Sequence, residues 1–248
     1  VSFLNPVPSG PLVENARRLL VAAERELLDR VIAAGSTGAV AAAGRAHANL
    51  TGAIDSMMTM LGKLPHALAN GIVDMDRGFS ARRLTPGETA QVDEAFGSRI
   101  QPGLVRIVKG AGLSLIAQGA YLNGNPAITV GNTIYIRSDL KLPLDDLSVR
   151  ADGIELLLHE YTHVVQYATL GFGVFGKRYL TELRKLGNAD QLYKYKSRNL
   201  DWQHETLEGQ AAIVGDYAAS RASPKNASNR AAANLLRGKL KGTGIYGN

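Results

Sequence analysis

Apolar and polar positions change rhythm three times along this chain. After an extended opening that carries Pro6, Pro8 and Gly10, apolar residues recur with a period near 3.6 from Pro11. Leu12, Ala16, Leu19, Leu20, Ala23, Leu27, Leu28 and Val31 form one stripe, with Glu14, Arg18, Arg25 and Asp29 outside it. The spacing predicts an amphipathic helix, which Gly35-Ser36-Thr37-Gly38 ends. A second helical stretch, from about 39 to 64, is rich in Ala, Gly and Met; Met57, Met58 and Met60 read as gap-filling packing residues. Residues 77 to 83 read as a loop. Thr85-Pro86-Gly87-Glu88 is a capping box with proline at the first helical position, so a helix is expected over Pro86–Phe96, stopping at Gly97.

The period then drops to that of strands. Residues 104 to 108 read as one strand, and 127–130 with 133–136 read as a hairpin closed by Gly131-Asn132. The region from 104 to 137 is expected to form a small, mostly antiparallel sheet. Placed at its edge, the strand over 133–136 would align an extended peptide by strand addition. Helical spacing returns with apolar residues at 154, 157, 158, 161, 164, 165 and 168. Beyond it, 171–176 reads as an apolar, glycine-rich loop and 178–186 as a short helix ended by Gly187. A polar stretch with Tyr193 and Tyr195 leads to a helix over 203–221. A basic, Ala-rich helix over about 227–240 precedes a glycine-rich tail. Three parts result: a helical N-terminal extension (1–80), a central domain (81–222) and a basic helical tail (223–248). The fold class is α+β.

The strongest chemical signal lies inside the third helical run, where His159-Glu160-Tyr161-Thr162-His163 is an H-E-x-x-H motif. Positions i and i+4 share one helix face, so two imidazoles can hold one metal ion while Glu160 reaches a water on it. That set supplies two zinc ligands and a general base. Buried imidazoles and carboxylates need partners, and a metal satisfies both rings at once.

Composition narrows the chemistry. The 248 residues include no cysteine, so disulfides and thiolate zinc sites are excluded and any zinc must rest on His and carboxylate. No apolar run approaches the length of a membrane span. Val1-Ser2-Phe3 lacks a methionine and an apolar leader, so the chain reads as a processed or cut form whose targeting information lies outside it. The net charge of +6 is uneven: residues 177 to 248 hold thirteen Lys and Arg against six Asp and Glu. Without a nucleic-acid motif, this basic third reads as a solvated face rather than a specific nucleic-acid surface. His47 and His66 have no ligand spacing and read as surface or packing residues.

A site of this kind needs a third protein ligand and one open position. A histidine six residues after His163 would define the metzincin spacing, but position 169 is Thr. The ligand must come from another helix, and 203–221 offers His204, Glu205 and Glu208. Glu208 with Ala211 matches E-x-x-A, the glutamate pattern of gluzincins. The stretch from Thr85 to Asp216 resembles the gluzincin metallopeptidases found beside contractile injection systems and polymorphic toxins. The resemblance rests on Phe96-Gly97, Val105-Arg106-Ile107, Ile134-Tyr135, His159 through Gln166, and Glu208 through Ala211. It implies a zincin-like core of small sheet, active-site helix and glutamate helix. It also implies a Zn2+ ion on His159, His163 and Glu208, and cleavage of peptide bonds in a bacterial protein exported or delivered to a target cell. The implied partners are a protein or peptide substrate, an injection apparatus and an immunity or inhibitor protein. Many gluzincins carry Asp four residues after the ligand glutamate to orient a zinc histidine; here that position is Ala212, and Asp216 is the candidate replacement. Glu160 is the expected base, and His204, Tyr193 and Tyr195 are candidates to stabilise the oxyanion. The rival reading is a metal-stabilised structural or adaptor domain, against which the retained Glu160 argues.

Overall fold

The computed structural model describes residues 59–75, 77, 81–122, 124–223 and 227–248, together with Arg18. The predicted helix from Pro11, His47 and most of the stretch over 39–64 lie outside the described residues. The described elements are α1 (His66–Met75), β1 (Ala81–Arg82), α2 (Pro86–Phe96), β2 (Arg106–Lys109), α3 (Leu115–Leu122), β3 (Ala127–Val130) and β4 (Thr133–Ile136). They continue with α4 (Ala151–Leu186), α5 (Asp190–Tyr193), α6 (Tyr195–Arg198), α7 (Leu207–Ala222) and α8 (Ala227–Leu240). The chain is α+β, with the helices outweighing one small sheet. No helix among the described residues is long and apolar enough to cross a membrane.

The capping box forms as its sequence requires. Thr85 Oγ1 accepts from the Glu88 amide, and Glu88 Oε2 accepts from the Thr85 amide at 2.8 Å. Glu88 is fully buried and does more than cap: it receives two 2.7 Å bonds from Arg82 and one from the Leu147 amide. One carboxylate thus ties β1, α2 and the turn ahead of α4 together. β1 itself falls inside the segment read as a loop; at two residues it is too short to show a period.

The sheet has the order β1-β2-β4-β3. β1 with β2 and β3 with β4 are antiparallel, but the central β2–β4 pair is parallel, with Ile107 opposite Ile134. The sheet is therefore mixed: two of its three pairings are antiparallel, and the central one is parallel. Parallel neighbours need a crossover, and α3 supplies it from residues that the sequence left unassigned. β4 is paired on both sides, so the strand over 133–136 is not at the edge; β1 and β3 are the edge strands.

Both faces of the sheet are covered. Ile107, Ile134 and Ile136 join a core with Val92, Phe96, Leu157 and Val214. Val108 and Tyr135, pointing the other way, join a second core with Leu61, Ile72, Tyr167 and Phe172. Residues 59–75 thus share a core with the central segment, and α8 adds Leu236 and Leu240 to the first core. His66 is a packing residue, its ring 5.6 Å from that of Phe172 and bonded to Asn70.

α4 runs 36 residues, through the segment expected to be a loop. Gly171, at φ 74°, interrupts it with a conformation that glycine adopts without strain. The helix then resumes because Phe172 and Phe175, three apart, both turn into the second core. α7 starts at Leu207, with Thr206 accepting from the Gly209 amide at 2.9 Å, not at 203 as the sequence suggested. Residues 202–204 form a separate 3-10 turn.

Candidate metal centre

His159 and His163 lie one turn apart on α4, with ring centroids 5.1 Å apart. Glu208 enters from the first turn of α7, which packs along α4. Small residues set that approach. Ala211 is fully buried, and a Cβ on Gly215 would stand 2.8 Å from the Glu155 carbonyl oxygen and 3.3 Å from His159 Cβ. The Glu208 Oε2 atom sits 3.2 Å from His159 Nε2 and 3.1 Å from His163 Nε2. One ligand atom from each of the three residues lies within 4.8 Å of the others.

Of the three candidates for a third ligand, the structure brings only Glu208 to the histidines. Glu205 is buried elsewhere, its Oε1 accepting from Arg198 Nε at 2.8 Å. His204 is exposed in the 3-10 turn and lines a surface cavity with Arg99 and Lys241. It does not sit one turn before Glu208 on a shared face, because the helix begins after it.

His163 and Glu208 shift one another's protonation. Burial opposes protonation of His163, but the Glu208 carboxylate beside it outweighs this and raises its pKa from 6.5 to about 9. Glu208 is buried too, which alone would raise its pKa; the two histidines instead hold it well below the usual carboxylate range. Two imidazole nitrogens and a carboxylate oxygen converging on one point, with no thiolate, are a donor set that fits zinc.

A glutamine orients one of the rings. The His163 Nδ1–H donates to Gln166 Oε1 at 2.8 Å. Gln166 Nε2 donates to the Leu207 carbonyl at 3.1 Å and to Gln210 Oε1 at 3.0 Å. Gln210 in turn donates to the Trp202 carbonyl at 2.7 Å. With both amide hydrogens spent, Gln166 must present its oxygen to His163. In neutral His163 the proton is then on Nδ1 and the Nε2 lone pair faces Glu208. Asp216, the expected replacement at this task, bonds neither histidine among the described residues. It accepts from the Tyr195 hydroxyl at 2.5 Å and pairs with Lys196 at 2.7 Å.

Glu160 is buried, and its Oε2 accepts from Thr129 Oγ1 at 2.7 Å. Thr129 belongs to the edge strand β3, so the base and the strand are fixed to one another. Tyr193 stacks on His159 at 5.9 Å, and its hydroxyl bonds Glu208. Burial, then the Glu208 charge, push that phenol's pKa up. Tyr193 rather than Tyr195 or His204 therefore touches the three-residue group. Thr129 left no trace in the sequence. Gln166 did: it lies three residues after His163 on the same helix face.

Two cavities meet at this point. An apolar pocket of about 70 Å³ is bounded by Glu160, His163 and Glu208. A cleft of about 850 Å³ runs past His159, Glu155 and Asp216. Asn125, Ala127, Glu160 and Tyr193 line both.

The fold and the site together define an α+β domain with a buried His-His-Glu group between two packed helices. Among solved structures it is similar to the effector domain of Pseudomonas aeruginosa VgrG2b, with a TM-score of 0.51 and 23% sequence identity over 77% of this chain and 96% of that one. At that identity the likeness is one of fold. No protein-family model matches the sequence, and no curated protein sequence matches it.

Proposed function

We propose that this protein is a zinc-dependent endopeptidase with a gluzincin-like, zincin-type core, acting as a delivered bacterial effector. The observation that carries the reading is the convergence of His159, His163 and Glu208, with Glu160 held beside them by Thr129. A purely structural site needs no such carboxylate. A bound zinc, held by His159, His163 and Glu208, would supply a Lewis acid for the scissile carbonyl and lower the pKa of the attacking water. Glu160 takes the proton of that water and delivers it to the leaving amine. Tyr193 donates its phenolic hydrogen to the oxygen that gains charge. Gln166, bonded to His163 Nδ1, would leave Nε2 free to hold the ion. The edge strand β3 aligns the substrate as an added strand alongside Glu160.

The delivery part of the reading is supported by the likeness to the effector domain of VgrG2b. Its implied partners are a secretion apparatus and an immunity protein. The test is a digest of a whole proteome with and without chelator. New termini that appear only without chelator are expected; identical digests would overturn the reading.

A further inference from the structure

We propose that Arg198 is a positioning residue for the candidate metal centre: its guanidinium fixes Tyr193 and Glu208 to one another. Only the kinetic part of the proposal rests on the peptidase reading above; the rest needs a bound metal alone.

Tyr193 and Glu208 reach the site from separate elements, Tyr193 at the end of α5 and Glu208 in the first turn of α7. Both are held at the residues that precede them. Arg198 Nη1 donates to the Gln191 carbonyl, and Nη2 donates to the Leu192 carbonyl at 2.7 Å. On its other side Nε donates to Glu205 Oε1 at 2.8 Å, and Nη2 donates to Thr206 Oγ1 at 3.1 Å. Gln191 and Leu192 lead directly into Tyr193, while Thr206 is the N-cap of α7, two positions before Glu208. Thr206 closes the ring: its hydroxyl donates to the same Leu192 carbonyl at 2.7 Å and accepts from the Gly209 amide. A shift of either helix end therefore breaks bonds on one shared group.

The energetics assign this network to geometry rather than to stability. The Glu205 side chain is fully buried and that of Arg198 is 16% exposed. Desolvation offsets much of the attraction in such a pair, so it contributes little over apolar residues of similar volume. What the guanidinium adds is a rigid planar fork that serves both backbones at once. A lysine ammonium carries the same charge on a flexible stem and cannot hold these acceptors in that arrangement. Among the described residues Arg198 is the cation paired with Glu205, and Glu205 Oε2 has no hydrogen-bond partner. No second cation stands in for Arg198 at that carboxylate among the described residues.

The experiment uses the full chain as wild type, Arg198→Lys, Tyr193→Phe and the two combined. Zinc affinity is read by competition with a chromophoric chelator, and kcat and KM are read at saturating zinc. Arg198→Lys is expected to weaken zinc binding about tenfold, the scale on which groups that orient a ligand act. It should lower kcat and leave KM within about twofold, since Tyr193 meets the oxygen that gains charge. In the Tyr193→Phe background the same change should cost clearly less in both readouts, because one of the two groups it joins has lost its hydroxyl. Where Arg198→Lys does not fold, Arg198→Met with Glu205→Met removes both buried charges and is read in the same way. Wild-type zinc affinity in a folded variant, or losses that simply add with Tyr193→Phe, would overturn the proposal. If wild type binds zinc and cleaves no peptide, the peptidase reading falls, and the zinc affinities alone decide the role of Arg198.

Discussion

Gln166 accepts the Nδ1 proton of His163 at 2.8 Å with both of its own amide hydrogens already committed to α7. The same side chain therefore sets the tautomer of a candidate ligand and fastens the two helices that carry the site. Gln166→Leu is expected to lower zinc affinity by about 10- to 100-fold. Competition with a chromophoric chelator measures it. Unchanged affinity in a folded variant would remove Gln166 from this role.

Among the described residues Thr129 bonds Glu160 and none of the three proposed ligands, so its loss should separate binding from chemistry. Thr129→Val is expected to keep zinc content at wild-type level and to reduce kcat about tenfold, a fraction of the roughly 10²- to 10⁴-fold that one positioned acid–base group contributes. Thr129→Ser should restore most of the rate. Metal analysis beside steady-state kinetics tests both parts.

The pKa shifts set a pH dependence for the metal-free protein. His163 is raised from 6.5 to about 9, so its contribution to stability is full below pH 6.5 and is lost as pH rises through 9. Glu208 is depressed from 4.5, so its contribution is present above pH 4.5 and is lost as pH falls through its folded value. The Tm of chelator-treated protein should therefore fall between pH 6.5 and pH 9.5, and His163→Ala should flatten that limb. Zinc binding at pH 7 must displace the His163 proton. Calorimetry in buffers of different ionisation enthalpy should show about one proton released on this account.

Gly215 marks where α7 touches α4. Gly215→Val would drive a side chain against the Glu155 carbonyl oxygen and His159 Cβ. The expected cost is about 1–3 kcal/mol of stability, read from denaturant unfolding, with weaker zinc binding because Glu208 is carried outward.

Local signals were readable in the sequence wherever one element determines itself. The capping box at Thr85, the Gly131-Asn132 hairpin and the His159–His163 spacing each depend on residues within five positions. Glu208 was legible from its chemistry and its helix. What the sequence did not reveal depends on partners far along the chain. The parallel β2–β4 pairing arises from a crossover through α3, and an apolar strand reads the same in either direction. Residues 171–176 look like a loop because glycines interrupt them, yet Phe172 and Phe175 are drawn into a core with Ile72 and Tyr135. The start of α7 is set by Thr206, which left His204 off the helix. Asp216 does not take the task expected of it, since Tyr195 and Lys196 occupy it; Gln166 orients His163 instead.

The most direct test is metal content and peptide cleavage measured together on wild type, His163→Ala and Glu160→Gln. The account predicts one zinc per chain in wild type and in Glu160→Gln, and little in His163→Ala. It predicts cleavage by wild type, none by His163→Ala, and cleavage slower by about 10²- to 10⁴-fold with Glu160→Gln. Equal zinc in wild type and His163→Ala, or equal cleavage by wild type and Glu160→Gln, would contradict it.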